Sequence, residues 1–441
     1  MIYELTRERL AAVKNPQLRA YAEGYAEIYD EFAETVKGYG LDFDPVSYEA
    51  EVAARRASLR ARGAIFRNND HSIYTGRISP ACEACQKGIG SLTFYVSLKC
   101  HRKCFYCFNH NQEDYQLHTE TKRDVVAELD QFASSGLGLS HVALTGGEPL
   151  LYPEDATGFF AAAREKFPGV HTRLYTSGDQ IDREMLSQLQ ASGLQEIRFS
   201  VRAHDGEKGR RHTYERIALA REYIPQVMVE TPVLPDTQEI MKEMLRELDR
   251  LGVFGINLLE FCFPLFNADE YQSRGYQVKQ HPYETLYDYW YAGGLPVSRS
   301  ELECLELMEW AMDEGLGIGI HYCSLENKHT GQIYQQDWGQ KLSPVAHFSE
   351  RDYFYKSAKV FGKDVLPVYK ALSKAGRRDF VVDEERGFIE FNPMNLGRLK
   401  ALDVEVGICT QVVEHREDGM VLRELKVGLT TPQTFEPEHD L

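Results

Sequence analysis

The sequence predicts an α/β protein: a partial (β/α)6 barrel with an added strand, a helical N-terminal extension and a small α+β C-terminal appendage. Three observations carry this. From about residue 90 to residue 262, short β-branched runs alternate with amphipathic helical stretches. The first 63 or so residues are strongly polar and helical in pattern, and the last hundred suggest antiparallel strands. The chain has 441 residues, 43% apolar and 11% aromatic, enough for one large α/β domain with attachments and a sizeable core.

At the N-terminus, "PQLRAYAEGYAEIYDEF" places Leu18, Tyr21, Tyr25 and Tyr29 near helical spacing, and "SYEAEVAARRASLRARG" behaves similarly, ending at Gly63. Residues 1–80 are therefore read as a helical extension with a following linker, capping the main domain. Residues 81–330 are read as the barrel with a Cys-x2-Cys segment ahead of it. The strand-helix series runs "SLTFYVSL", "RDVVAELDQFASSG", "HVALTGG", "ATGFFAAAREKF", "TRLYTSG", "DREMLSQLQASG", "EIRFSVR", "RIALAREYI", "QVMVETPV", "EIMKEMLRELDRLG" and "INLLEF". Six such steps call for a parallel sheet with right-handed crossovers. A Tyr-rich insertion (residues 264–300) follows, then a helix, "ELECLELMEWAMDEG", and a strand, "GIGIHYC". In a TIM-like barrel of this kind the chemistry belongs at the C-terminal ends of the strands. Residues 331–441 are read as an α+β domain, with "GFIEFNPMN" and "VGICTQVVEHREDGMVLRELKVG" as antiparallel strands, the second turning at Asp418-Gly419.

Lys and Arg total 50 against 67 Asp and Glu, a formal charge of −17, which argues against a broad nucleic-acid-binding face. No run approaches the roughly 18 apolar residues of a membrane span. The opening "MIYELTRERLAAVKN" has acidic residues where a signal peptide is apolar. The expectation is a cytoplasmic protein with no nucleic-acid or membrane partner. Thiols stay reduced there, so clustered cysteines read as metal or catalytic sites. Five of the nine cysteines lie between residues 82 and 107.

"CHRKCFYC" follows the first barrel strand and puts Cys100, Cys104 and Cys107 on the catalytic rim. Taken alone, the triplet fits zinc as well as iron. A 4Fe-4S cluster is usually held by four thiolates, so three would leave one iron free for a chelating small molecule. The next strand ends in "LTGGEP": the paired Gly146 and Gly147 let backbone approach a ligand closely, and Glu148 offers a carboxylate for an ammonium group.

This pair of motifs resembles the radical S-adenosylmethionine superfamily over roughly residues 90–262. The resemblance implies that Cys100, Cys104 and Cys107 hold a 4Fe-4S cluster whose fourth iron is chelated by S-adenosylmethionine. It implies that Gly146, Gly147 and Glu148 bind the methionyl amino group, and that Tyr106 contacts adenine. Ser177 would make a polar cofactor contact, Ser200 and Arg202 would meet the ribose and the carboxylate, and Val233 would line the adenine pocket. An external low-potential electron donor is implied as well. The resemblance identifies no catalytic residue, and the chain has no recognisable cobalamin domain before the barrel.

A second cysteine group comprises Cys82 and Cys85 in "ACEACQKG" and Cys323 in "HYCSLENKH". A Cys-x2-Cys pair is half a metal site, and the group reads either as a second zinc or iron centre, with Cys262 or His321 as fourth ligand, or as separately packed thiols. The pair with its trailing glycine and the late "HYCS" is similar to uncharacterised proteins related to pyruvate formate-lyase activating enzyme. Cys304 and Cys409 read as packing residues. The expected activity is reductive cleavage of S-adenosylmethionine that starts a radical reaction on an unidentified substrate. Large extra regions at both ends lean the reading to a peptide or protein side chain; rearrangement or methylation of a small metabolite stays open. The competing class is a non-catalytic zinc or iron-sulfur protein.

Overall fold

A computed structural model describes residues 1–289, 293–417 and 419–441. Residues 290–292 of the Tyr-rich insertion and Asp418 of the expected hairpin turn lie outside the described residues. The chain divides into two compact units, Tyr39–Pro282 with Asp288–Gly331, and Met1–Gly38 with Tyr283–Tyr287 and Gln332–Leu441.

The larger unit is built on a nine-stranded sheet: β1 (Ile65–Arg67), β2 (Ser72–Thr75), β3 (Ser91–Tyr95), β4 (His141–Thr145), β5 (His171–Thr176), β6 (Glu196–Phe199), β7 (Gln226–Val233), β8 (Gly255–Glu260) and β9 (Gly319–Cys323). Their spatial order is β1-β2-β9-β8-β7-β6-β5-β4-β3. Every neighbouring pair from β3 to β9 is parallel. Helices Val125–Ser134, Pro153–Lys166, Arg183–Ser192, Glu207–Ala220, Gln238–Arg250 and Ser300–Asp313 follow β3 to β8 in turn. These are the six expected strand-helix steps, with β9 as the added strand.

The two-residue period sorts each strand's side chains to two environments. Ile197 and Phe199, Val227 and Val229, Ile256 and Leu258, and Ile320 and Tyr322 all enter the main apolar cluster. Helix Gln238–Arg250 meets that cluster with Met241, Met244, Leu245 and Leu248, spaced for one helical face. The alternate residues Glu196, Arg198, Glu230, Asn257 and His321 occupy the opposite, inner face. They are linked to one another by hydrogen bonds, directly or through Cys82.

The N-terminal extension departs from expectation in two ways. Residues 64–80 are not a linker. β1 and β2 form an antiparallel hairpin, and β2 pairs antiparallel with β9, its residues Ser72 to Thr75 facing Cys323 to Ile320. The turn uses Asn68, Asn69 and Asp70 at φ of 51°, 51° and 68°, a left-handed conformation that Asn and Asp tolerate because their short polar chains bond locally. Nor is the extension a single cap. Helix Glu49–Ala61 contributes Val52 and Leu59 to the barrel's core, whereas helix Pro16–Gly38 belongs to the smaller unit. There its Leu18, Ala22 and Ala26 pack on Phe361, Phe388, Cys409 and Val427.

The smaller unit holds an antiparallel sheet in the order Tyr3–Glu4, Gly419–Thr430, Val406–Arg416, Tyr355–Phe361, Phe388–Phe391, Phe380–Asp383. Val406–Arg416 and Gly419–Thr430 are the expected hairpin. Lys359 inside this sheet is neutralised by Glu424 at 2.6 Å, and Tyr25 donates a hydrogen bond to the same carboxylate at 2.6 Å. Helix and sheet thus share a buried ionic lock as well as apolar contact. Leu18→Ala should destabilise the smaller unit by about 2–5 kcal/mol through lost burial and the cavity left behind. Urea denaturation followed by signals assigned to this unit checks it, and unchanged stability would separate the helix from the sheet.

Candidate functional site

Beyond β3 the chain enters the cysteine loop, whose start is held by its own backbone. Ser97 Oγ donates to the carbonyl of His118 at 2.8 Å, and Leu98 N–H donates to the same oxygen at 2.9 Å. Cys107 N–H then donates to the carbonyl of Cys104 at 3.1 Å, turning the loop. Cys100 is exposed and Cys104 and Cys107 are half-buried; all three thiols are free. Burial pushes the Cys107 thiol up to about 11 and raises that of Cys100 as well. These thiols therefore stay protonated near neutral pH until a metal displaces their protons. Arg202 Nη1 lies 3.5 Å from Cys104 Sγ, and Arg102 N–H donates to Cys100 Sγ at 3.4 Å, so charge and dipole face sulfurs that would become anionic.

The glycine pair ending β4 packs against the protein's own backbone. Gly147 N–H donates to the Ser97 carbonyl at 3.1 Å and Glu148 N–H to that of Lys99 at 2.9 Å. A Cβ on Gly147 would overlap the Lys99 carbonyl, and one on Gly146, at φ 104°, would stand 2.8 Å from the Ser97 oxygen. Asn109, just past the third cysteine, donates from Nδ2 to the Gly146 carbonyl at 2.6 Å. The cysteine loop is thus tied to the "GGEP" turn at both of its ends.

Glu148 also departs from its expected role. Its side chain is turned inward and the residue is only 2% exposed. One carboxylate oxygen accepts from Thr176 Oγ1 at 2.8 Å and Leu150 N–H at 3.2 Å; the other accepts from Ser177 N–H and Ser177 Oγ, both at 2.7 Å. Four donors satisfy the carboxylate within the fold and leave it no capacity for a ligand's ammonium. Ser177 is engaged by the same contact. Ser200 is exposed just beyond β6, where its N–H donates to the Thr176 carbonyl at 2.9 Å. Arg202 pairs with Asp205 at 2.7 Å as well as facing Cys104. Tyr106 packs edge-on to His204 and Phe261, with centroids 5.5 and 5.6 Å away. Val233 does not line a pocket: it is 0% exposed in the layer between sheet and helices, in step with Val227 and Val229.

Sequence reasoning missed Asp179. Its carboxylate takes both arms of Arg102 at 2.5 Å and His101 Nε2 at 2.5 Å, strapping the cysteine loop to the end of β5. Burial pushes the Asp179 pKa up, but the bonds and charges of Arg102 and His101 outweigh it and hold the carboxyl at about 2. The one local signal is its place two residues after Ser177. Lys328 was missed too. Its ammonium lies 5.9 Å from the Phe108 ring centroid and within electrostatic reach of Cys262 and Cys323, with no ion pair among the described residues.

Of the second cysteine group, Cys82 lies against the inner face of the sheet. Cys82 and Cys85 lie three apart on the short helix Pro80–Cys85, hence on one side of it. Cys82 Sγ accepts from Arg198 Nη2 at 3.2 Å and from Asn257 Nδ2 at 3.4 Å, both on inward positions of their strands. The segment therefore folds across the barrel rather than staying at the N-terminal end of β3. Cys323 ends β9, two residues after His321 on the same face.

Comparison with known proteins gives the class. Residues 94–248 match the model of the radical SAM superfamily. The chain carries a domain of that superfamily of enzymes. It is 27% identical over 214 residues to a protein of Methanocaldococcus jannaschii named "Putative glycyl-radical enzyme activating enzyme", covering 46% of this chain and 55% of that one. It is 30% identical over 115 residues to GTP 3′,8-cyclase 2 of Pseudomonas aeruginosa, covering 25% and 32%. The chain thus spans about half, or less, of the length of these curated relatives. Among solved structures, Streptococcus suis SuiB aligns at 14% identity and a TM-score of 0.39 over 74% of this chain and 65% of that one. Escherichia coli coproporphyrinogen III oxidase (HemN) aligns at 13% and 0.37 over 82% of each.

Two substitutions test the site. Gly147→Ala should displace residues 98–99 and lower the iron retained after anaerobic reconstitution several-fold, with far-UV circular dichroism unchanged. Glu148→Ala should destabilise the metal-free protein by about 2–3 kcal/mol, because buried donors lose a charged acceptor. Equal stability in chemical denaturation would return Glu148 to the ligand-binding role.

Proposed function

We propose that this protein is a radical enzyme that reductively cleaves S-adenosylmethionine, with Cys100, Cys104 and Cys107 as the ligands of a 4Fe-4S cluster. The observation that carries the reading is the close tie between the three-cysteine loop and the "GGEP" turn on the C-terminal rim of a parallel barrel. Three thiols without a fourth fit a cluster that keeps one iron for an exogenous chelate. When bound and reduced by an external low-potential donor, the cluster would supply the electron that breaks the sulfonium into methionine and a 5′-deoxyadenosyl radical.

The chain's own residues have distinct tasks in this reading. Asp179 and Glu148 hold the loop and the turn rigid from beneath. The carbonyls of residues 146–148, rather than the Glu148 carboxylate, take the methionyl ammonium. Tyr106 presents an aromatic edge to adenine, and Ser200 and Arg202 meet the ribose and the carboxylate. A second metal centre at Cys82, Cys85 and Cys323 belongs to the same proposal. A peptide or protein side chain is the favoured substrate, on the strength of the regions added to the barrel at both ends. A small metabolite is the alternative, and Lys328 suits an anionic group on either.

Anaerobic reconstitution followed by dithionite and S-adenosylmethionine tests the core reading. 5′-Deoxyadenosine should accumulate from wild type, and Cys104→Ala should abolish both the product and this cluster's signal. A protein shown to contain the Cys100 cluster but making no 5′-deoxyadenosine would contradict it.

A further inference from the structure

The inner face of the barrel holds a second set of thiols that cleavage of S-adenosylmethionine does not use. Its surroundings are those of a built site. Glu196, fully buried, takes Arg198 Nε at 2.5 Å, His171 Nε2 at 2.9 Å and Ser79 Oγ at 2.6 Å. Arg198, itself buried, reaches Glu230 at 2.7 Å and directs its remaining arm at Cys82 Sγ. Asn257 Nδ2 bridges Glu230 and the same sulfur. At the end of β9, Asn327 Nδ2 donates to Cys323 Sγ at 3.2 Å. Sulfurs supplied with N–H donors in this way are the environment that stabilises metal-bound thiolates.

Two observations bring the remaining thiol to this place. Cys85 is open to solvent, yet Cys82, Arg173, Arg198 and Glu230 all lie within electrostatic reach of it, as Cys85 and Cys82 do of Cys323. Gly331, in the helix that follows β9, packs on the Cys85 carbonyl so closely that a Cβ there would stand 2.7 Å from the oxygen. The helix carrying the pair and the helix leaving β9 are therefore pressed together, and Cys323 stands two residues before the second of them.

The sulfur spacing argues against a single ion. One zinc ion would draw its thiolates to about 3.8 Å from each other, given Zn–S bonds of about 2.3 Å. The three sulfurs do not all lie within 4.8 Å of one another, and neither do those of Cys100, Cys104 and Cys107. A cluster binds each thiolate to a different iron and so spans wider sets. His321, one fourth ligand considered from sequence, is committed elsewhere, and the other, Cys262, stands in a short antiparallel ribbon with Leu295–Pro296. His321 has Nε2 on Ser72 at 2.9 Å and Nδ1 on Asn257 at 3.0 Å, and Cys262 lies within electrostatic reach of Cys107, on the side of the first triplet.

We propose that Cys82, Cys85 and Cys323 hold a second 4Fe-4S cluster on the inner face of the barrel, bound by three thiolates with its fourth iron free of protein ligands. This specifies the second centre of the proposed function and stands whether or not the first triplet cleaves S-adenosylmethionine.

The test removes the first centre and counts what remains. The full-length C100A/C104A/C107A variant, reconstituted anaerobically with iron and sulfide, should keep about four irons and four sulfides per chain. On reduction it should give a cluster electron paramagnetic resonance signal. Adding Cys82→Ala or Cys323→Ser should remove that iron. A folded triple variant without iron, or with one zinc per chain and no sulfide, overturns the proposal. Should the triple variant not fold, Mössbauer counting on wild type decides: about eight irons should fall to about four in Cys82→Ala and in Cys323→Ser. A count unchanged by both substitutions overturns it equally. Wild type that forms no 5′-deoxyadenosine, beside a triple variant whose iron is intact, would fault the first centre alone.

Discussion

At the mouth of the barrel two backbone segments cross with no side chain between them. Residues 97–99 leave β3, residues 146–148 leave β4, and two N–H···O=C bonds join them at 3.1 and 2.9 Å. The parallel ladder of β3 and β4 is in effect prolonged past the strand ends, and glycine at 147 is the condition for it. Much of the site's geometry follows from this crossing. It aims the cysteine loop over the rim and turns Glu148 inward onto Thr176 and Ser177. It also leaves Asp179, just past the end of β5, to grip the loop from the other side through His101 and Arg102. Three successive strand ends are clamped to one another, which gives a metal site the rigid support it needs.

The second constraint is the polarity of the inner face. A barrel interior filled by Val, Ile and Leu would need no partners, but this one carries buried Glu196, Arg198, Asn257 and His321 and half-buried Glu230. Buried charge is tolerable where each polar atom is matched. Here Arg198 is shared among Glu196, Glu230, Ser79 and Cys82. The helix Pro80–Cys85 supplies two of those partners, so it is drawn across the face by the charges it satisfies. That is why a segment written just ahead of β3 ends up beside β6 and β8.

The barrel and its cysteine loop were legible in the sequence because their signals are local. A two-residue period, a 3.6-residue period and gaps of three and two between cysteines can all be read within a dozen residues. The β1–β2 hairpin escaped notice, although "RNND" is a turn signal, because its strands are short and its partner β9 lies some 250 positions away. The split of the N-terminal helices was hidden for a similar reason: each has an apolar stripe, and nothing in a stripe names the surface it will meet. Val233 was misjudged by one step of strand alternation. Glu148 was given to a ligand because its motif shows a carboxylate and conceals the four donors that saturate it.

Chemistry that depends on near neighbours along the chain, such as three thiols in eight residues or paired glycines closing a strand, was determined by the sequence itself. Backbone geometry over such spans allows few alternatives. Whether Glu148 faced a ligand or the protein, and which strands Cys82 came to lie against, only the tertiary structure decided. Those outcomes depend on which distant donors and charges fold into hydrogen-bonding range, and that is a property of the packed chain rather than of any stretch of it.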